Sequence, residues 1–215
     1  MIRRAGLRRF VGPAEPAPAP PRPSSHPAEE KCELCVKPTG HWHGHVVDTE
    51  HRSILCTCRA CFLLFTSPEA GGGRYRAVPD RYLRDDEHPL VKAEWDGLGI
   101  PVGAAFLLRG GGGTAAFYPS PAGATECLLN LDALADLAVT HPLLAAAEPE
   151  VEAILIHTTD DRVEAYLVPI DVCYRLVGTV RRYWKGFDGG QEARDHIEEF
   201  FADVRSATRP FGEQE

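Results

Sequence analysis

Five of the seven cysteines fall between Cys32 and Cys61. Two Cys-x-x-Cys pairs, Cys32/Cys35 and Cys58/Cys61, bracket a spacer of the length that separates the halves of structural zinc sites. Two thiolates three positions apart on a tight turn can both point at one ion. Two such turns complete a tetrahedron without needing a large core. The spacing predicts a zinc-ribbon-like module over 31–70, with Cys32, Cys35, Cys58 and Cys61 as ligands. Zinc is the expected ion; iron in a rubredoxin-like tetrathiolate is the alternative, because both metals accept four thiolates. No secretory signal is read ahead of the cysteines, which argues against a disulfide framework. No βαβ pattern accompanies them either, as a thioredoxin-like redox pair would require.

Cys56 lies two residues before Cys58, so on an extended strand the two side chains share a face. It is read as an alternative ligand, as a thiol capping the site from outside, or as an inert buried group. His41, His43 and His45 also alternate, which would put three imidazoles on one strand face. Exposed hairpin histidines are the ordinary outcome of such a row. The functional alternative is a second metal, held by the row together with Cys56.

The elements that must position these groups are short. Gly44–Asp48 and Arg52–Cys56 are strand-like runs, with polar Asp48–His51 as the turn between them. Phe62-Leu-Leu-Phe65 follows the second cysteine pair directly and predicts an apolar clamp buried against the rest of the protein.

The whole chain of 215 residues is long enough for one ordinary domain plus a small appendage, and 44% hydrophobic residues suffice for a packed core. No apolar run approaches the length that spans a bilayer, so a soluble, cytoplasmic protein is expected. The net charge of −8 argues against general nucleic-acid binding, which rewards clusters of Lys and Arg. Residues 1–30 read as a disordered tether, basic at first and then rich in Pro and Ala. Its arginines lack the apolar core of an export signal. A short docking helix using Ile2, Leu7 and Phe10 is the alternative to a frayed terminus.

The second domain is expected over 71–208. Strands are read at 74–79, 104–109, 114–118, 151–157 and 163–170, with glycine or polar turns joining the last two pairs into hairpins. Helices are read at 127–138 behind Thr125 as N-cap, at 142–147, through 173–184 behind Asp171 as cap, and at 191–206. The fold class is therefore α+β: an antiparallel sheet of about four or five strands and about three helices, preceded by the cysteine module.

No catalytic constellation emerges. Gly110–Gly113 lacks the Lys of a phosphate-binding loop, and Ser120 stands in Pro-Ser-Pro, not in a nucleophile elbow. Cys127 and Cys173 sit on apolar stretches where inert thiols are usual. His157 reads as a core or edge histidine, and Asp85-Asp86-Glu87-His88 as a solvated turn. Arg175, Tyr183 and Trp184 are candidates for a partner surface.

Four segments taken together carry a resemblance: the two cysteine motifs, Gly-Gly-Gly-x-Tyr-x-x-Val-Pro-Asp at 71–80, Tyr-Pro-Ser-Pro-Ala-Gly-Ala-Thr-Glu at 118–126, and Val-Pro-Ile-Asp-x-Cys-Tyr-Arg-Leu-Val-Gly at 168–178. Over about 31–206 the chain resembles an uncharacterised family of high-GC Gram-positive bacteria encoded beside [NiFe]-hydrogenase genes. The resemblance implies a protein partner among hydrogenase subunits or their maturation proteins. The expected protein is a non-catalytic, metal-binding (zinc) accessory protein acting through protein–protein interaction, with hydrogenase maturation or assembly as the setting the resemblance implies and an iron electron-transfer protein serving a hydrogenase as the alternative.

Overall fold

The computed structural model describes residues 30–67, 69–128, 131–159 and 162–212, with backbone alone for 131–133 and 135. The tether read at 1–30, apart from Glu30, lies outside these residues, as do Asp160 and Asp161 of the last hairpin turn.

The cysteine region builds a small sheet in the order β2-β1-β3 from β1 (Gly44–Asp48), β2 (Ser53–Thr57) and β3 (Tyr75–Ala77). The hairpin matches the alternation in the sequence: His45 faces Cys56 and Val47 faces Ile54 across it. The strand read at 74–79 is β3, and it pairs with β1, so the chain leaves this sheet only after Ala77. Helix α1 (Arg59–Leu64) carries Cys61. It lies so close to β1 that a Cβ on Gly44 would fall 2.5 Å from the Phe62 ring. The apolar clamp expected at 62–65 is local. Phe62 packs edge-on to Trp42 and Phe65 tilts against Tyr75, while Leu63 and Leu64 are exposed. In so short a helix, the side of α1 that holds Cys61 and Phe62 turns the other two side chains outward.

The second sheet has seven strands in the order β10-β4-β9-β8-β5-β6-β7, with β4 (Leu83–Arg84), β5 (Ala104–Gly110), β6 (Gly113–Ser120), β7 (Gly123–Cys127), β8 (Glu152–Thr158), β9 (Val163–Pro169) and β10 (Arg209–Pro210). All neighbours are antiparallel except β10 and β4. The sheet is thus larger than the four or five strands expected, and mixed. The added strands are short or were assigned otherwise. β4 and β10 are two-residue edge strands, too short to show a period. β7 takes Thr125 and Cys127 into pairing with Tyr118 and Ala116, so Thr125 is not a helix cap, and the helix α3 begins later, at Leu131–Thr140.

Six α-helices lie among the described residues where about three were expected: α1, α2 (Lys92–Gly97), α3, α4 (Pro142–Ala146), α5 (Ile170–Tyr183) and α6 (Gly190–Ala207). The start of α2 is fixed by Glu94, whose carboxylate accepts the Val91 N–H at 2.9 Å. Helices cover both faces of the large sheet. Leu155, Val168, Cys173, Leu176, Phe201 and Val204 belong to the core beneath α5 and α6. Trp95, Leu107, Leu137, Leu143, Ile154 and Ile156 form the core beneath α2, α3 and α4. Adjacent residues of β8 point into opposite cores, which is why its apolar run is unbroken. The cysteine module joins the first core through Val47 and Val78, with Ile54 alongside.

Candidate metal centre

The first cysteine pair is shaped by backbone bonds. Lys31 and Pro38 form an isolated antiparallel bridge, the Cys32 N–H donates to the Lys37 carbonyl at 2.8 Å, and the Val36 N–H donates to the Cys32 carbonyl at 2.8 Å. The turn requires a left-handed residue, supplied by Val36 at φ 63°. The turn is tied to β2 from both sides: the Glu33 N–H donates to the Cys56 carbonyl, and the Cys56 N–H donates to the Glu33 carboxylate at 2.6 Å. The second pair is shaped by a helix start. Cys58 is the extended residue before α1, and its carbonyl accepts the Phe62 N–H at 2.9 Å.

These two turns bring Cys32, Cys35, Cys58 and Cys61 together, with their sulfurs within 4.8 Å of one another. A tetrahedral ion with bonds of about 2.3 Å to sulfur needs sulfurs about 3.8 Å apart. Cys35 and Cys58 stand at 3.7 Å. The four cysteines could therefore hold a metal ion. Burial favours the neutral thiol at Cys32, but N–H groups of Cys58, Cys35 and Leu34 aimed at its sulfur outweigh it and bring the thiol down to about 6. Burial and the three neighbouring thiols push Cys61 up to about 12. Four sulfurs so close cannot all ionise unaided, and a divalent cation supplies the charge that lets them.

Cys56 falls in a different cluster. Its Sγ lies within 4.8 Å of one ring nitrogen each of His43 and His45. Burial pushes its thiol up, with Glu30 and Glu33 adding to the effect. His41 is exposed in the turn before β1 and joins neither cluster. Asp171 is not the N-cap expected of it: α5 starts at Ile170 behind Pro169, so Asp171 lies inside the first turn, where its Oδ1 accepts the Val172 N–H. The other oxygen, Oδ2, accepts from Nδ1 of His45 at 2.6 Å, a contact across 126 positions that no local spacing signals. This hydrogen bond raises the His45 pKa against the opposing pull of burial.

A third cluster, Asp48, Glu50 and His51, already has its cation. Arg74 donates to Asp48 at 2.8 Å and holds that carboxyl well below the ordinary range. The remaining sequence candidates are dispersed. Cys173 is fully buried and its thiol pushed well above normal by burial. Cys127 points at the Ala116 carbonyl, and Ser120 bonds within its own turn to Gly123 and Thr125. His157 stacks flat on Phe201 at 3.9 Å between centroids. His88 closes a turn with Asp85, and Gly110–Gly113 forms the β5–β6 hairpin turn.

A family model for proteins of unknown function, DUF5947, matches residues 31–208. The chain belongs to that family. The matched segment takes in both the cysteine module and the large sheet. No curated protein and no solved structure matches the chain. Among the described residues, no helix is long and apolar enough to cross a membrane.

Proposed function

We propose that this DUF5947 protein is a non-catalytic accessory protein whose four-cysteine centre holds zinc and stabilises a surface for a protein partner. The observation that carries the reading is the convergence of four thiols within 4.8 Å of one another, with Cys35 and Cys58 at 3.7 Å. The ion would fix the geometry of two turns and the short helix α1 in a region with little core of its own. Nucleophile and base candidates elsewhere are separated or consumed by local bonds, which supports a binding role over a catalytic one. The partner class, hydrogenase subunits or their maturation proteins, rests on the sequence resemblance alone. Iron at the same thiolates, serving electron transfer, is the second reading, because the donor set accepts either metal.

Elemental analysis with a visible spectrum tests the metal. One zinc per colourless chain, lost in Cys58→Ser, is the expected result; one iron with thiolate charge-transfer bands replaces the zinc reading with the redox one. Disruption of the gene in an organism that makes a [NiFe]-hydrogenase tests the partner. Loss of hydrogenase assembly is expected, and unaltered assembly and activity would remove that partner.

A further inference from the structure

We propose that His43, His45 and Cys56 form a second, exchangeable site for a transition-metal ion of the zinc, nickel or copper class. The site opens onto the cleft between the cysteine module and the large sheet. Register builds the donor set: His45 and Cys56 are direct partners across the β1–β2 hairpin, so their side chains share a face. His43, two positions before His45, adds its ring at 5.4 Å between centroids. One ligand atom from each residue lies within 4.8 Å of the others. Two imidazoles and a thiolate select borderline and soft ions over magnesium or calcium, which prefer oxygen.

Asp171 supplies the second observation. Metal-binding histidines characteristically donate their other ring N–H to a carboxylate, which fixes tautomer and ring orientation. His45 does this through Nδ1, so Nε2 would be the nitrogen left for an ion. A tie between the module and α5 accounts for His45 and Asp171; the hairpin register adds His43 and Cys56 at the same point. Glu30, 4.0 Å from His43, and Glu33, bonded to the Cys56 N–H, add negative charge around the donors. Three protein ligands leave a tetrahedral ion one open position. His43, His45 and Asp171 all line the cleft, a space of about 870 Å³ that Trp42, Tyr82 and Arg175 also border. His43 and His45 retain 42% and 29% of their side-chain exposure, so an ion there can be reached by water and chelators.

The test uses the full chain, its tight site filled with zinc, titrated with cobalt(II). A second equivalent should bind with a near-ultraviolet thiolate charge-transfer band. Cys56→Ser should abolish that band and weaken the second equivalent at least ~10-fold, with circular dichroism and the first metal unchanged. Asp171→Asn should weaken the second equivalent by about 10–100-fold and leave the first alone. A wild-type chain that takes no second ion, or a second equivalent equally tight in Cys56→Ser, overturns the site. An unaffected second equivalent in Asp171→Asn overturns the orienting role of that carboxylate. Because none of the three ligands belongs to the four-cysteine centre, Cys56-dependent binding in a chain whose four cysteines hold nothing would sustain this site and defeat the zinc reading above.

Discussion

The two sheets are held together by different means. In the small sheet, β1 buries Val46, Val47 and Asp48, while most of β2 is only half-covered, and α1 buries none of its residues. In the large sheet, β8 buries six consecutive residues and α5 buries six of its fourteen. One region buries few of its residues and has four converging thiols; the other has two cores and no comparable cluster among the described residues. Burial of apolar surface and metal ligation are alternative ways of offsetting chain entropy; the large sheet has the first, and the four thiols could give the small one the second.

The contrast can be broken most severely at the thiols. Chelation or Cys32→Ser should remove on the order of 10 kcal/mol of metal-linked folding free energy. Limited proteolysis should then cut within 31–77 while the large sheet stays protected. Persistent protection of the module without metal would show that Val47 and Val78 hold it by packing alone. The converse substitution, Phe201→Ala, empties a fully buried position beneath α6 and should cost the large sheet about 3–5 kcal/mol in denaturant unfolding. Metal content at folding conditions should not change; coupled metal loss would mean the two regions are one cooperative unit.

The smallest effect sharpens the comparison through pH. Burial lowers the His157 pKa, partly opposed by Glu198 and Glu164. A buried neutral histidine contributes its full stability above the unfolded value of about 6.5, and that contribution is lost as pH falls from there toward the lower native value. Zinc-saturated protein should therefore melt at lower temperature at pH 5.5 than at pH 7.5. His157→Gln should reduce the difference, and an unchanged pH dependence in that variant would exclude His157 as its source.

Hairpins were the legible part of the sequence. β1–β2, β5–β6 and β8–β9 each join strand-like runs through polar or glycine turns, so local chemistry sufficed. The extent of the family resemblance, about 31–206, also agrees with the match at 31–208 to a family of unknown function, which says nothing of hydrogenases. What local patterns missed was set by distant partners. Thr125 has the chemistry of a helix cap, but pairing with Tyr118 makes it a strand residue. β4 and β10 exist only because Leu83 lies beside Leu167 and Arg209 beside Leu83. At the candidate sites, the cysteine spacing was visible in the chain, as was the alternation of His43 and His45. The separation of Cys56 from Cys58 required the cross-strand register, and the carboxylate behind His45 required the docking of α5.

Sequence distance also orders assembly. Gly44 meets Thr57 after 13 positions, whereas Leu83 meets Leu167 after 84. Loop-closure entropy makes the longer connection costlier by about 1.7 kcal/mol, so the hairpin is the easier one to close early. Its four thiols all lie within 32–61 and can gather before most of the large sheet exists. The imidazole of His45 gains its carboxylate only once α5 has arrived, so that hydrogen bond reports the docking of the two regions.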